Sequence, residues 1–339
     1  MIFSYRTRQA LKRLAVTILV ILLVLSLALV FWFMWLERFV VYTADGKAIL
    51  DFSLSATFPP GEVAVPPTEG PTVPIYYNDG ENVIITTTEL TQMQGYYIDE
   101  EALKDIAAVR TQLETLPAGT PVMLDVKSIY GNFYYSSDVS TRRNSDLDIG
   151  AVDALIRDLT AGNLYVIARI PALRDYYFGL NNVPYGLPTA GGYLWMDPDY
   201  CYWLNPASEG TVTYLMQIIT ELRGLGFDEV VLCDFYFPAT NDIVFNGDKT
   251  EALSTTAALL VQNCSAANFA VSFTGQSASF PLPEGRCRLY IQDAAAADAA
   301  TIAQESGLAD PAVYLVFVTE FHDTRFDAYS VLRPLAAAH

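Results

Sequence analysis

Short apolar runs alternate with longer segments of helical periodicity from residue 82 to near the end of the chain. The apolar runs predict seven strands, at residues 83–87, 121–126, 165–170, 229–234, 269–273, 287–292 and 313–318. The segments between them predict helices over residues 99–116, 149–161, 211–223, 250–267 and 296–306. Such alternation is typical of successive strand–helix units that build a parallel sheet.

Seven strands with mostly helical connections favour an α/β fold of the (β/α)8 TIM-like barrel type over an open doubly wound sheet. No glycine-rich nucleotide turn follows any of these strands, so the pattern indicates no nucleotide cofactor. The eighth strand–helix unit has no clear pattern. Either residues 326–335 supply it, or the barrel is incomplete.

An uncharged apolar segment precedes the barrel. Residues 14–36 contain no charged side chain, and at about 1.5 Å per residue they are long enough to cross a hydrocarbon layer about 30 Å thick. The basic residues before it, within residues 1–13, favour a cytoplasmic N-terminus and an extracytoplasmic barrel. A cleaved signal peptide is the competing interpretation, but its apolar region is normally about 7–15 residues, so the length favours one N-terminal transmembrane anchor.

Two further segments separate the predicted anchor from the barrel. Residues 37–56 contain two strand-like runs around Asp45-Gly46, a dipeptide suited to a tight hairpin turn. Residues 57–81 are rich in proline, which favours extended, semi-rigid chain and predicts a stalk. The barrel domain is therefore expected to occupy residues 82–339.

Composition and charge exclude some classes of protein and of function. With 52% hydrophobic and 17% charged residues, the chain can bury a large core, which excludes general disorder. The net charge is −18, and after residue 38 there are 15 Lys and Arg residues against 37 Asp and Glu residues. A domain this acidic repels nucleic acid and anionic lipid, so nucleic-acid binding is excluded as a function.

Cysteine and histidine content argues against zinc chemistry. The chain has four cysteines and two histidines, and no two cysteines form a Cys-x-x-Cys motif. Cys264 and Cys287 flank a short segment and are candidates for a disulfide; the alternative is four buried free thiols.

Charged residues end several predicted strands, where the chemistry of a barrel is located. By the two-residue period of a strand, Asp125 and Lys127 share a face that points into the mouth, and Arg169 ends the next strand in the same way. Asp234 shares a face with Leu232, which predicts that Asp234 points into the mouth and Cys233 toward the helices.

Two acidic residues complete the predicted ring. Glu320 follows the seventh strand, and Asp293 lies one residue past the sixth. Carboxylates that share a cleft repel one another, so one pKa rises and that group serves as an acid while an ionised neighbour acts as nucleophile or base. Glycoside hydrolysis requires one protonated and one ionised carboxyl group in this way.

Two alternatives to a catalytic role remain for these charged residues. Either Asp125–Lys127 and Asp234–Arg169 are ion pairs that only close the barrel, or Asp125, Asp234 and Asp293 bind a divalent cation.

The insertion at residues 171–207 is dense in aromatic side chains. Flat rings with a polar edge suit stacking against sugar faces, and a long loop over a barrel mouth is where a substrate groove would form. Trp195 is the first candidate for such stacking. The Asp197-Pro198 dipeptide that follows it in the sequence is typical of a turn. Ordinary packing of the loop on itself accounts for most of the other rings.

Several motifs together resemble one family. Residues 226–238 read GFDEVVLCDFYFP and resemble the signature Gly-Phe-Asp-Glu-[Ile/Val]-x-x-Asp-Tyr-x-Arg-Phe-Pro of the putative glycosyl hydrolase domain family, bacterial barrels related to the α-amylase-like glycosidases. Residues 124–127, residues 167–170 and the Trp195-x-Asp197-Pro198 motif are similar to further segments of that family. The resemblance implies a TIM-like barrel and, by analogy of fold, a glycosidase. One departure is Tyr236, which stands where the family usually has Arg; Arg169 is a candidate to supply that charge.

Two functional hypotheses follow from the sequence. The first is a membrane-anchored glycoside hydrolase that acts on an envelope polysaccharide or a peptidoglycan-type glycan, with Asp234 and Glu320 as the carboxylate pair and Asp125 in support. The candidates for substrate binding are Lys127, Arg169, Trp195, Asp197, Tyr236 and Asp293. The second hypothesis is a catalytically inactive barrel in the cell envelope that binds a glycan or a protein partner.

Overall fold

A computed structural model describes residues 40–42, 48–50, 89–275 and 280–335. The chain divides into two compact units, residues 1–81 and residues 82–339. In the first unit, strands β1 (Val40–Tyr42) and β2 (Ala48–Leu50) pair antiparallel.

Several sequence predictions lie outside the described residues. They are the membrane span at 14–36, the turn at Asp45-Gly46, the stalk at 57–81 and the strand at 83–87. Among the helices that the structure does describe, none is long and apolar enough to span a bilayer.

The second unit contains a closed barrel of eight parallel strands. They are β3 (Gln94–Ile98), β4 (Pro121–Asp125), β5 (Tyr165–Pro171), β6 (Glu229–Cys233), β7 (Ala270–Thr274), β8 (Leu289–Gln292), β9 (Leu315–Val318) and β10 (Ser330–Pro334). Each strand pairs with the next in sequence, and β10 closes the barrel against β3. The predicted TIM-like barrel is confirmed, and β10 lies within residues 326–335, the segment proposed for the eighth unit.

Helices connect most of the strands. They are α1 (Ile106–Leu113), α2 (Ile149–Thr160), α3 (Tyr176–Asn181), α4 (Glu209–Gly224), α5 (Lys249–Cys264), α6 (Ala299–Glu305) and α7 (Pro311–Tyr314). Aspartate side chains cap five of them by accepting a backbone N–H of the first turn, a preferred arrangement at a helix start. Asp99, predicted to cap α1, instead accepts the N–H of Ala102 and starts a short 3-10 turn, and α1 begins after Asp105.

Strand facing follows from two of the three hydrophobic clusters in the described part of the chain. The smaller cluster unites residues from strands on all sides of the barrel, which only the interior can bring together; it includes Met123, Ile167, Val231, Tyr290, Val316 and Leu332. Their strand neighbours Leu124, Ala168 and Leu232 belong to the larger cluster that packs under the helices. This alternation decides which strand-end side chains can reach the mouth.

A buried polar network closes the amino-terminal end of the barrel. The Glu229 carboxylate, fully buried, pairs with Arg288 at 2.5 Å. It also accepts hydrogen bonds from the hydroxyls of Ser272 at 2.5 Å, Tyr165 at 2.8 Å and Tyr290 at 2.9 Å. A buried charge is tolerated when it is paired and fully hydrogen-bonded, as here. Glu229, a residue of the family signature, is thus a structural element of the floor.

All four cysteines are buried free thiols, so Cys264 and Cys287 are not joined in a disulfide. Burial raises the pKa of the Cys287 thiol to about 12. The sequence left both states open, and the free-thiol alternative is the one observed.

Candidate active site at the barrel mouth

A cavity of about 500 Å³ opens at the carboxyl-terminal end of strands β4, β5 and β6. Four predicted site residues line it together: Asp125, Lys127, Arg169 and Asp234. Cys233 and the loop residues Glu100, Tyr130, Tyr134 and Asn144 also line it. Active sites of TIM barrels occupy this end of the fold.

Asp125 ends β4 and faces the cavity because it shares the inward face with Met123. Its carboxylate lies 3.5 Å from the Arg169 guanidinium, and the two side chains are 22% and 24% exposed. Burial raises the pKa of Asp125 to about 6; Arg169 opposes this effect, and the carboxylates of Asp99 and Glu100 add to it. A carboxylic acid with this pKa holds its proton well above the usual range for aspartate.

Asp234 reaches the cavity by a different route from the one predicted. Cys233, two residues beyond the inward-facing Val231, is the residue that points into the barrel, so its predicted orientation toward the helices is wrong. Asp234 follows the end of β6 with a φ of 52°, in the left-handed region that few residues other than glycine adopt. This turn of the backbone, and not strand alternation, brings the Asp234 side chain to the mouth.

The position of Cys233 also changes how the family signature applies to this chain. Counted residue by residue along GFDEVVLCDFYFP, the signature Asp falls on Cys233 and its Tyr falls on Asp234. Because Cys233 faces inward, a signature Asp at that place would point into the mouth. In this chain the acid is therefore displaced by one residue, and the positive φ of Asp234 accompanies that displacement.

Cations surround Asp234. Burial raises the pKa of its carboxyl and the Asp197 carboxylate adds to the rise, while Arg174, Arg169 and Lys127 offset it only in part. Asp125 has acidic neighbours beside its one arginine, whereas Asp234 has three basic neighbours. The two carboxyl groups therefore differ in the charges that act on them.

Lys127 does not pair with Asp125 as one alternative supposed. Its ammonium lies 2.7 Å from the Asp175 carboxylate, and both side chains are fully buried. Asp175 also accepts the Tyr214 hydroxyl at 2.9 Å and caps α3 through the N–H of Phe178. The pair holds the start of the insertion against the end of β4. Asp175 was not among the predicted site residues, although its place shortly after β5 was a usable signal.

Asp197 lies in a buried polar cluster of the insertion, not in the cavity. Its carboxylate accepts the Nε–H of Arg174 at 2.6 Å and the indole N–H of Trp203 at 2.9 Å. Burial raises the pKa of Asp197, but the hydrogen bonds from Arg174, the Cys201 N–H and the Trp203 indole, together with the charge of Arg174, outweigh burial and lower the pKa. Arg174 also pairs with Asp199, and the sequence did not single out this arginine.

Trp195 and Tyr236 pack beside this cluster. The ring of Trp195 is half-buried and lies 6.4 Å from the ring of Trp203. The ring of Tyr236 lies 5.0 Å from Trp203 on another side. Arg174 stands 5.8 Å over the ring of Trp203, so the same indole lies beside both Arg174 and Tyr236.

Glu320 and Asp293 stand apart from the residues that line the cavity. Both are exposed, and Asp293 has a φ of 55° just past the end of β8. Burial raises the pKa of Tyr97, and Asp99, Glu320 and Asp293 raise it further, so both acids lie near the β3 side of the mouth.

Glu100 and Tyr134 form a wall of the cavity that sequence reasoning missed. The Tyr134 hydroxyl donates to Glu100, and the Asn144 amide donates to the same carboxylate at 2.8 Å. One loop follows β3 and the other follows β4, so their proximity depends on the parallel pairing of these two strands and not on any local motif.

A metal site has no support in the described part of the chain. Among residues 89–275 and 280–335, no group of three or more His, Cys, Asp or Glu side chains is placed to hold a metal ion.

Comparison with known proteins identifies the family. Residues 96–271 match the model of a family described as a putative glycosyl hydrolase domain, from β3 to β7. The match covers just over half of the chain. The chain belongs to this family. The resemblance inferred from the motifs is therefore confirmed. A separate comparison with curated proteins gave no match.

Solved structures resemble this member of the putative glycosyl hydrolase domain family in fold. The α-galactosidase from Lactobacillus brevis has a TM-score of 0.50 at 9% identity, over 74% of this chain and 38% of its own. The galactosidase domain of an alpha-galactosidase-sucrose kinase has a TM-score of 0.50 at 11% identity, over 73% and 38%. A hypothetical protein from Ruminiclostridium thermocellum has a TM-score of 0.44 at 20% identity, over 52% and 96%. The chain thus spans less than two fifths of either galactosidase.

Proposed function

We propose that this protein is a glycoside hydrolase whose reaction takes place in the mouth cavity, with Asp125 as proton donor and Asp234 as the ionised carboxylate. The observation that carries the proposal is that two carboxyl groups from separate strand ends line one cavity with a different balance of charges: one arginine and two carboxylates act on Asp125, whereas three basic side chains and one carboxylate act on Asp234. Cleavage of a glycosidic bond requires two carboxyl groups in different environments, so that one stays protonated while the other is ionised. Membership of a glycosyl hydrolase-like family supports the same reaction class.

In this mechanism the Asp125 carboxyl gives its proton to the glycosidic oxygen as the bond to the anomeric carbon breaks. Asp234 then either bonds to that carbon or removes a proton from a water molecule that attacks it. A separation of about 5–5.5 Å between the carboxyl groups corresponds to retention of configuration, and about 6.5–9.5 Å corresponds to inversion. Since Asp125 must be protonated, activity is expected to fall as the pH rises above about 6.

Arg169 has two roles in the proposal. Its charge limits the rise of the Asp125 pKa. Its Nε is buried and, within the described part of the chain, has no hydrogen-bond partner, which suits donation to a sugar hydroxyl. The Lys127 ammonium is already paired with Asp175, so Lys127 influences the site only through the effect of its charge on Asp234.

The substrate proposed for this site is an uncharged or cationic glycan outside the cytoplasm. Four acidic side chains line the cavity against two basic ones, so an anionic polymer would be repelled. The predicted membrane span at residues 14–36 and the basic residues before it support an anchored, extracytoplasmic enzyme.

The test is hydrolysis by the full chain, assayed on a panel of p-nitrophenyl glycosides, polysaccharides and peptidoglycan. Asp125→Asn and Asp234→Asn are expected to lose at least about a hundredfold in kcat, the scale of acid–base catalysis. Glu320→Gln tests the pairing predicted from the sequence and is expected to keep most activity. Asp298→Asn, at an exposed acid that does not line the cavity, is the matched control. Unchanged turnover in both Asp125→Asn and Asp234→Asn would refute these assignments.

A second candidate function is glycan binding without catalysis. The displacement of the signature Asp to a cysteine at position 233 favours it. This candidate predicts no turnover by the wild-type chain and the appearance of turnover in Cys233→Asp. Turnover by the wild-type chain that depends on Asp234 would exclude it.

A further inference from the structure

Two exposed tyrosines stand at the edge of the mouth cavity. Tyr130 lines the cavity, and 42% of its surface is exposed. Its hydroxyl donates to the backbone carbonyl of Asp199 at 3.3 Å, which places it against the residue before Tyr200. Tyr200 is 74% exposed. Aromatic surface of this size left in water next to a cavity is a feature of ligand-binding sites.

Tyr200 is held in an unfavourable backbone conformation. Its φ is 59°, in the left-handed region where a side chain with a Cβ is disfavoured. The Asp197 carboxylate accepts the N–H groups of Asp199 at 3.0 Å and Cys201 at 2.9 Å, and the Tyr200 N–H donates to the Asp197 carbonyl at 3.0 Å. These bonds enforce the turn that leaves the Tyr200 ring in solvent.

The support of this turn extends into the insertion. Asp197 is fixed by Arg174 and by the Trp203 indole, and Arg174 also pairs with Asp199. Strained residues persist where surrounding contacts enforce them, and such positions concentrate at functional sites. A turn built this rigidly to present one exposed ring indicates that the ring has a ligand.

We propose that Tyr130 and Tyr200 form a sugar-stacking subsite on the rim of the barrel, at the edge of the mouth cavity. The ligand would be a neutral glycan chain whose pyranose faces stack on the two rings, so the substrate would be a polymer and not a free terminal sugar. The identity of the ligand rests on the proposed function, because the rim is continuous with the cavity through Tyr130. The exposed Asp199 beside Tyr200 opposes an anionic chain.

This assignment replaces the stacking role expected of Trp195. The Trp195 ring is half-buried and packs against Trp203, so little of its face is available. Tyr200, five residues later in the same insertion, is the ring that the fold leaves open.

The test is affinity electrophoresis of the full chain carrying Asp234→Asn, in gels that contain galactomannan, soluble starch or hydroxyethyl cellulose. At least one polysaccharide should retard the protein. Adding Tyr200→Ala or Tyr200→Gly should weaken that affinity about tenfold, while Tyr200→Trp should retain it. Tyr193→Ala is the matched control, since Tyr193 is equally exposed at 79% but lies on a separate turn of the insertion.

Tyr200→Gly separates binding from folding. Glycine accepts a φ of 59°, so its thermal unfolding midpoint should be unchanged or higher although binding is weaker. Equal retardation with and without Tyr200→Ala, or no retardation in any of the three gels, would overturn the subsite. Turnover of the whole panel of p-nitrophenyl glycosides, polysaccharides and peptidoglycan by the wild-type chain is measured separately; if none is cleaved while Tyr200-dependent retardation persists, the proposed function fails and the subsite stands.

Discussion

Asp125 illustrates how a single carboxyl group can be prepared for chemistry at a cost in stability. Its burial beside Asp99 and Glu100 raises its pKa to about 6 despite the nearby Arg169. The folded chain therefore binds this proton more tightly than the unfolded chain, in which the pKa is close to the ordinary aspartate value. Stability from this group is fully present below about pH 4 and is lost as the pH rises through about 6.

We predict that Asp125→Asn removes this pH dependence. Between pH 4 and pH 8, the free energy of unfolding of the wild type should fall by about 3 kcal/mol relative to that of the variant, which follows from a pKa raised to about 6. Urea unfolding at the two pH values measures the difference. Asp298→Asn should show no such divergence, and a parallel pH response of Asp125→Asn and wild type would contradict the prediction.

Residue-level reasoning from the sequence succeeded where a strand has one clear apolar face. Alternation placed Asp125 and Arg169 correctly, because Met123 and Ile167 lie on the same faces inside the barrel. It failed at Cys233 because the β6 residues Glu229–Cys233 are all buried, so the apolar run does not show which side faces inward. The register with the neighbouring strand β5 is what determines which β6 side chains face the interior of the barrel.

Partners that are distant along the chain were also missed at this scale. Lys127 binds Asp175, and Glu100 binds Tyr134 and Asn144. Nothing local to Lys127 indicates an acid 48 residues away. These contacts arise from the parallel pairing of β3 with β4 and of β4 with β5, which brings together the loops that follow those strands.

At the scale of elements, most strands and helices were predicted to within a few residues, because long periodic segments leave a clear pattern. Strand β3 was missed, since its sequence QGYYI contains a polar residue and a glycine. Gly95 has a physical role there: a methyl group on its Cα would overlap the carbonyl oxygen of Pro121 on β4. The close approach of β3 and β4 thus requires glycine at this position.

We predict that Gly95→Ala destabilises the barrel by about 3 kcal/mol, because β3 and β4 must separate to admit the methyl group. Chemical unfolding of the full chain measures the loss. Gly224→Ala is the matched control: no atom lies near the added methyl group at the end of α4, so the change should be neutral or slightly stabilising. A loss below about 1 kcal/mol for Gly95→Ala would show that the strands adapt.

At the scale of the whole molecule, the proposed enzyme would be held by its predicted anchor at a membrane whose anionic surface repels the acidic barrel domain. Residues 1–13 carry four basic side chains and no acidic one, whereas acidic residues outnumber basic ones after residue 38. Repulsion of this kind keeps an exposed domain off the lipid headgroups. Attachment would then depend on the apolar segment alone.

We predict that the full chain, produced in bacteria, sediments with membranes and stays there after a high-salt or alkaline carbonate wash. Deletion of residues 14–36 should release it, because those residues supply the apolar length needed to span the bilayer. Immunoblots of the washed fractions measure the distribution. Recovery of the full chain in the salt wash would instead indicate peripheral, charge-based attachment.

The network around Glu229 has a consequence for how the enzyme would turn over. With this floor sealed by paired and hydrogen-bonded side chains, water and sugars reach the carboxyl groups from one end of the barrel only. Both fragments of a cleaved glycan would then have to leave through the mouth cavity by which the glycan entered. Exit of the products, in a fixed order, becomes a step that can limit the overall rate.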